Sequence, residues 1–218
     1  YFEQRVLHID NSKDTPSNGQ LFRQDLLTLE ILEEIVLAKK LNRNTDVQFI
    51  ANNEYINDDI DIEFDFDDSY DSHLNVQTLK DHYEAGHMLQ VTAMERFDER
   101  LKDLKCTLEG EIFASVGVNV YFSPPNMTGF SWHKDGHDII VIQTVGKKCW
   151  EICEHLPAKL DVSSYVFSNK EEVLKSDVRC RNITLHKGEA FYMPRGVIHA
   201  PHTRNCEGQY NNSEQSMH

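Results

Sequence analysis

The chain has 218 residues, 39% of them hydrophobic, enough for one domain with a sizeable core or a domain with a small appendage. Its 22 Lys and Arg against 36 Asp and Glu leave a formal net charge of −14, which argues against a partner held mainly through nucleic-acid phosphates or anionic lipid and suits a Lys/Arg-rich one. There is no run near the roughly 18 apolar residues of a membrane span and no basic N-terminal region leading into an apolar stretch. The five cysteines (Cys106, Cys149, Cys153, Cys180 and Cys206) form no CxxC pair. The expectation is a cytoplasmic protein with reduced thiols.

In chain order, RVLHI reads as a short strand followed by a turn-rich loop. Residues 25–41, DLLTLEILEEIVLAKKL, read as a helix. Residues 52–71 hold nine acidic side chains and no basic one, and within them IDIEFDF alternates strictly, the pattern of a strand with one buried face. These charges either keep an edge strand from aggregating or form an acidic wall that draws in a basic substrate. Residues 92–112 place Met94, Phe97, Leu101, Leu104, Leu108 and Ile112 at steps of three and four, an amphipathic helix ending near Gly110. Beyond it ASVGVNVYFS, DIIVIQTV, KKCWEIC, SYVF, NITLH and EAFYM are short β-rich runs between turn residues. The fold class is mainly β with flanking helices (α+β), a sandwich or barrel. One domain over residues 1–218 is expected, its helical and acidic elements in 1–112 and its barrel core at about 113–218.

A His-x-Asp or His-x-Glu pair on a strand points both heads to one side, where both reach one metal ion. Roughly two such pairs arise by chance in this composition, and the chain has three: His8/Asp10, His82/Glu84 and His133/Asp135. A mononuclear iron site needs two His and one carboxylate on one face, with further positions open. Only His133/Asp135 is followed by several strands and then by a late histidine in a strand-turn-strand setting, His199 in KGEAFYMPRGVIHAP. Alone, His199 is either a third ligand or structural, and His202 competes with it. Adjacent His137 and Asp138 point to opposite strand faces and are poor joint ligands, better suited to a supporting or structural role.

In GKKCWEIC, Lys148 shares a strand face with Trp150 and Ile152, the face expected to be buried. An inward ammonium needs an anionic partner, and where no protein carboxylate supplies one, a ligand carboxylate does. Asn119 and Tyr121 likewise share a face and place two hydrogen-bonding groups on one wall. A lysine snorkelling at a strand end and an asparagine in a bulge are the structural alternatives.

VNVYFSPPNMTGFSWHKDGHDIIVIQTVGKKCW, followed by KGEAFYMPRGVIHAPHT, resembles the cupin-like branch of the JmjC oxygenases, the ribosomal oxygenases and their bacterial relatives. That family reads N-x-Y, a Pro pair, G-F, H-x-D, an apolar strand ending in Gln, G-x-K-x-W and G-D-x-x-Y-x-P-R-G-x-x-H. The resemblance implies a double-stranded β-helix (jelly roll, cupin/JmjC type) holding Fe(II), with 2-oxoglutarate as cosubstrate and O2 as oxidant. It implies His133, Asp135 and His199 as catalytic metal ligands, Lys148 on the distal carboxylate of 2-oxoglutarate, and Asn119 lining that pocket. Tyr121 joins them by strand parity. The implied reaction is hydroxylation of a side chain of a protein or peptide, basic if the acidic segment contacts it, with no direct nucleic acid or membrane partner.

Departures from the pattern are Glu189 in place of Asp and a bulky Trp132, expected to shape the substrate entrance. SEQSMH resembles the S-x-H that opens a final core strand, so the C-terminal end reads as truncated. In many members a winged-helix module follows, and a homodimer is implied where it is present. Two other readings stay open: a metal-dependent cupin enzyme acting on a small molecule without 2-oxoglutarate, and a non-catalytic cupin-like module for a basic partner. Lys148 with Asn119 speaks against the first, and the complete triad against the second.

Overall fold

Strands far apart in the chain share sheets, and this interleaving assembles the interior. The computed structural model describes residues 3–9, 26–38, 41–43, 45–51, 54–56, 74–127, 130–155, 157–204 and 206. The expected strand at 60–66 and the SEQSMH run lie outside the described residues.

The first half supplies β1 (Leu7–Ile9), α1 (Leu29–Leu37), β2 (Val47–Ala51), β3 (Glu54–Ile56), α2 (Val76–Glu84), β4 (Met88–Val91) and α3 (Glu99–Ile112). The second supplies β5 (Val120–Phe122), β6 (His133–Lys134), β7 (Ile139–Ile142), β8 (Lys147–His155), β9 (Tyr165–Val166), α4 (Lys170–Leu174), β10 (Val178–His186), β11 (Ala190–Met193) and β12 (Ile198–His202). They form a β1-β11-β7 sheet, a β10-β8-β12-β6-β9 sheet and a β3-β2-β4-β5 sheet.

The first two sheets enclose one core of Val6, Trp150, Ile152, Ile183, Leu185, Phe191 and Met193. Alternation explains who enters it: Ile183 pairs with Trp150 and Leu185 with Lys148 across β10–β8, so all four share one face. The third sheet and helices α1, α2 and α3 bury a separate cluster that includes Leu32, Val36, Phe49, Leu89, Val91 and Met94. The expected division at residue 113 is crossed in both directions, since β1 pairs with β11 and β5 with β4.

The helix expected over 92–112 is split. Ala93 adopts a left-handed backbone (φ 51°), a 3-10 turn follows at Met94–Arg96, and α3 starts anew where the Asp98 carboxylate accepts from Arg100 N and Leu101 N. The helix then runs through Gly110, which faces open space, and stops at Phe113 in left-handed conformation. The reduced-thiol expectation also fails. Cys153 is paired with Cys180 and Cys149 with Cys206, leaving Cys106 free and exposed. Chain spacing gave no hint of this; antiparallel register makes Cys153 and Cys180 direct partners. Among the described residues no helix is long and apolar enough to cross a membrane.

Phe191 is fully buried and meets Trp150 edge-on, with centroids 4.9 Å apart. Phe191→Ala should destabilise the chain by about 3–5 kcal/mol. Urea unfolding measures this, and a loss under about 1 kcal/mol would mean that the two sheets do not depend on this core.

Candidate metal centre

β12 lies between β8 and β6, and in its antiparallel pairing with β6 His199 stands directly opposite His133. Paired positions project to the same face, so the two rings meet with centroids 4.1 Å apart. Asp135, two residues beyond His133, projects to that side as well. Its Oδ2 lies 3.5 Å from His199 Nε2 and 3.8 Å from His133 Nε2.

Backbone carbonyls fix both rings. His133 Nδ1 donates to Ser131 O at 2.7 Å and His199 Nδ1 to Val197 O at 3.2 Å, which leaves each Nε2 lone pair facing the carboxylate. His199 is 3% exposed, and burial with the nearby His133 pulls its pKa down to about 3, so it stays a neutral ligand. Two imidazole nitrogens and a carboxylate oxygen within 4.8 Å of one another match the donor set of a mononuclear non-haem Fe(II) site with open positions.

The ligand-bearing turns are held from outside by the 157–164 loop. Lys134 pairs with Asp161, Gly136 N donates to Ser164 Oγ at 3.2 Å, and Gly196 N donates to Asp135 O at 2.9 Å. A Cβ on Gly136 would overlap the Val162 carbonyl, and one on Gly196 would lie 2.6 Å from Lys159 O. Only glycine lets the loop approach this closely.

Lys148 enters the same interior on β8, 9% exposed, and its Nζ donates to Ser123 Oγ at 2.8 Å. No carboxylate pairs with it among the described residues, and burial pulls its pKa down to about 8. The rings of Tyr121 and Trp150 stand 6.0 and 5.8 Å from Nζ, and the buried Trp150 Nε1 has no acceptor among the described residues. Tyr121 meets Phe130 edge-on, and Phe130 meets His133 in the same way, so an aromatic wall joins the lysine to the triad.

Asn119 is less central than the resemblance implies: it is exposed, and its Oδ1 accepts from Ala93 N at 3.2 Å. Ser123 was missed, although the two-residue alternation that selects Asn119 and Tyr121 reaches it next. Trp132 does not shape an entrance. Strand parity turns it opposite to His133, where it packs with Phe167 and Val178 against buried Cys153, Val173 and Ile198. Glu189 preserves the turn by accepting from His186 N at 2.9 Å. Asp138 is structural, accepting from Tyr192 Oη and Arg195 N, while His137 is exposed. His202 lies on the outer sheet face, His8 sits 3.5 Å from Glu189, and His82 stacks on Phe49.

A family model for the JmjC domain matches residues 87–213, more than half of the chain and all six expected site residues. The chain belongs to the JmjC domain family. The bifunctional lysine-specific demethylase and histidyl-hydroxylase NO66 of Drosophila grimshawi is 23% identical to this JmjC protein over 80% of the chain and 23% of the relative. Ribosomal oxygenase 1 of Danio rerio is 31% identical over 56% of the chain and 22% of the relative. The solved ribosomal oxygenase YcfD of Escherichia coli, in complex with cobalt and 2-oxoglutarate, superposes with a TM-score of 0.52 at 17% identity, covering 93% of this chain and 45% of that one. The chain thus spans about a quarter of these curated relatives and under half of the solved one. The shared fold is the cupin-type jelly roll.

Gly136→Ala should weaken Co(II) binding about tenfold or more by pushing the Asp135 turn off the 157–164 loop. Asp161→Asn should act in the same direction. Calorimetric titration with Co(II) reads both, and unchanged affinity in the two variants would separate the loop from the site.

Proposed function

We propose that this JmjC protein is an Fe(II)- and 2-oxoglutarate-dependent oxygenase that hydroxylates a side chain of a protein or peptide. The observation that carries this reading is a conjunction within one sheet. A two-histidine, one-carboxylate donor set on β6 and β12 stands beside a buried lysine on β8 that lacks a carboxylate partner among the described residues. The names of the relatives and the cobalt and 2-oxoglutarate complex of YcfD support it.

His133 Nε2, His199 Nε2 and Asp135 would hold Fe(II), and Lys148 would take the distal carboxylate of 2-oxoglutarate. When bound, the pair supplies the oxidising chemistry: O2 is divided between succinate and a hydroxylated carbon, with loss of CO2. The chain's own work is positional. The Ser131 and Val197 carbonyls keep both imidazoles in the tautomer that offers Nε2. Ser123 holds the Lys148 ammonium in place before a carboxylate arrives, so the cost of desolvating the lysine is met during folding. Tyr121 and Phe130 line the wall between lysine and triad. A basic polypeptide fits a chain with a net charge of −14. The same reading takes residues 1–218 as one oxygenase domain, a view supported by the β1–β11 and β5–β4 pairings.

With Fe(II) and a substrate, succinate release should drop to background in His133→Ala and in Asp135→Ala; turnover at the parent rate would remove the triad from the reaction. Lys148→Ala should raise the 2-oxoglutarate requirement about ten- to hundredfold while Co(II) affinity stays near the parent value. A carboxylate partner favours charged Lys148, whose pKa in the free protein is about 8. The Kd for 2-oxoglutarate should therefore be level below about pH 8 and climb about tenfold per unit above it. A flat profile to pH 10 would sink the pairing.

A further inference from the structure

The outer face of the five-stranded sheet carries a second group of metal-binding side chains, backed against the first. Cys149 and His202 are direct antiparallel partners across β8 and β12, so their side chains stand together. Cys206 folds back over them, bonded to Cys149 and with its Sγ 3.5 Å from the His202 carbonyl oxygen. One ligand atom from each of the three lies within 4.8 Å of the others, and the two cysteines are only 7% and 8% exposed. His202 Nδ1 is tied to the Arg204 carbonyl at 3.0 Å, which leaves the Nε2 lone pair for a ligand bond. This is the device that fixes His133 and His199, and a disulfide alone gives it no purpose.

We propose that Cys149, His202 and Cys206 form a second, thiophilic metal site, closed as a disulfide when oxidised and taking Zn(II) when reduced. Two thiolates with one imidazole suit Zn(II), and water or an outside ligand completes the fourth position. A dithiol reductant opens the site: it gives two electrons and two protons to the S–S bond and becomes a disulfide itself. Zn(II) then displaces both thiol protons to solvent, with no further redox change. The ion would clip β12, three residues past His199, to β8, one residue past Lys148. It would thus brace the two strands that supply the inner site, whether or not the oxygenase reading holds.

The test is anaerobic titration of the fully reduced, metal-free protein with Co(II) alone. Expected are two ions per chain, one of them with near-ultraviolet thiolate-to-cobalt charge-transfer absorption, which the sulfur-free triad cannot give. Zn(II) should displace that absorption. Cys206→Ser, a change beyond the last strand, should lose the band and one equivalent. Cys106→Ser and Cys153→Ser should keep both. His133→Ala should lose the other equivalent and retain the band, so failure of the inner centre and failure of this site read differently. The proposal is overturned if the parent protein, with all five thiols shown to be free, gives no thiolate band, or if the band survives Cys206→Ser.

Discussion

The seating of β12 between β6 and β8 is the constraint on which the rest of the molecule depends. It puts His199 opposite His133 on one side and opposite Ile152 on the other. A slip of one residue would send His199 to the outer face and bring Ile198 and Ala200 inward. What prevents the slip is the apolar interior and not the polar centre. Trp150, Ile152, Ile183, Leu185 and Phe191 each gain on the order of 1.5–3 kcal/mol from burial, and each keeps that gain only in the observed register. The donor set is therefore a by-product of hydrophobic pairing.

The interior also holds two groups that a purely structural core would avoid. His199 is kept neutral by burial, and Lys148 is buried with a serine as its hydrogen-bond partner. A buried cation without a carboxylate weakens a fold, so its position beside a preorganised donor set is the mark of a binding site. Trp150 Nε1, buried without an acceptor among the described residues, adds to the same imbalance.

Local periodicity made much of this legible. Two-residue alternation placed Lys148, Trp150 and Ile152 inside, and it paired His133 with Asp135. His199 needed the family resemblance, because a lone histidine after a turn has no pattern to mark it. The same parity, continued along each strand, selects Ser123 and turns Trp132 outward. The 157–164 loop was beyond reach, since its grip on Gly136 and Gly196 is a steric contact between segments with no repeating pattern. The cysteine pairs were hidden for a similar reason. Their partners lie 27 and 57 residues apart and meet through the strand pairing, or through the chain returning past β12. The split before α3 depends on one left-handed residue, Ala93, whose amide donates to Asn119, just before β5.

β1 adds a dimension of time. Leu7 pairs with Tyr192, Val6 N donates to Glu154 Oε1, and Arg181 reaches the Val6 carbonyl, so among the described residues this early strand is fastened to late ones. At roughly 5–20 residues per second, synthesis of the intervening chain takes on the order of ten seconds or more. Through that interval Val6 has no core to enter. β1 can therefore take its place in the sheet no earlier than the emergence of β11.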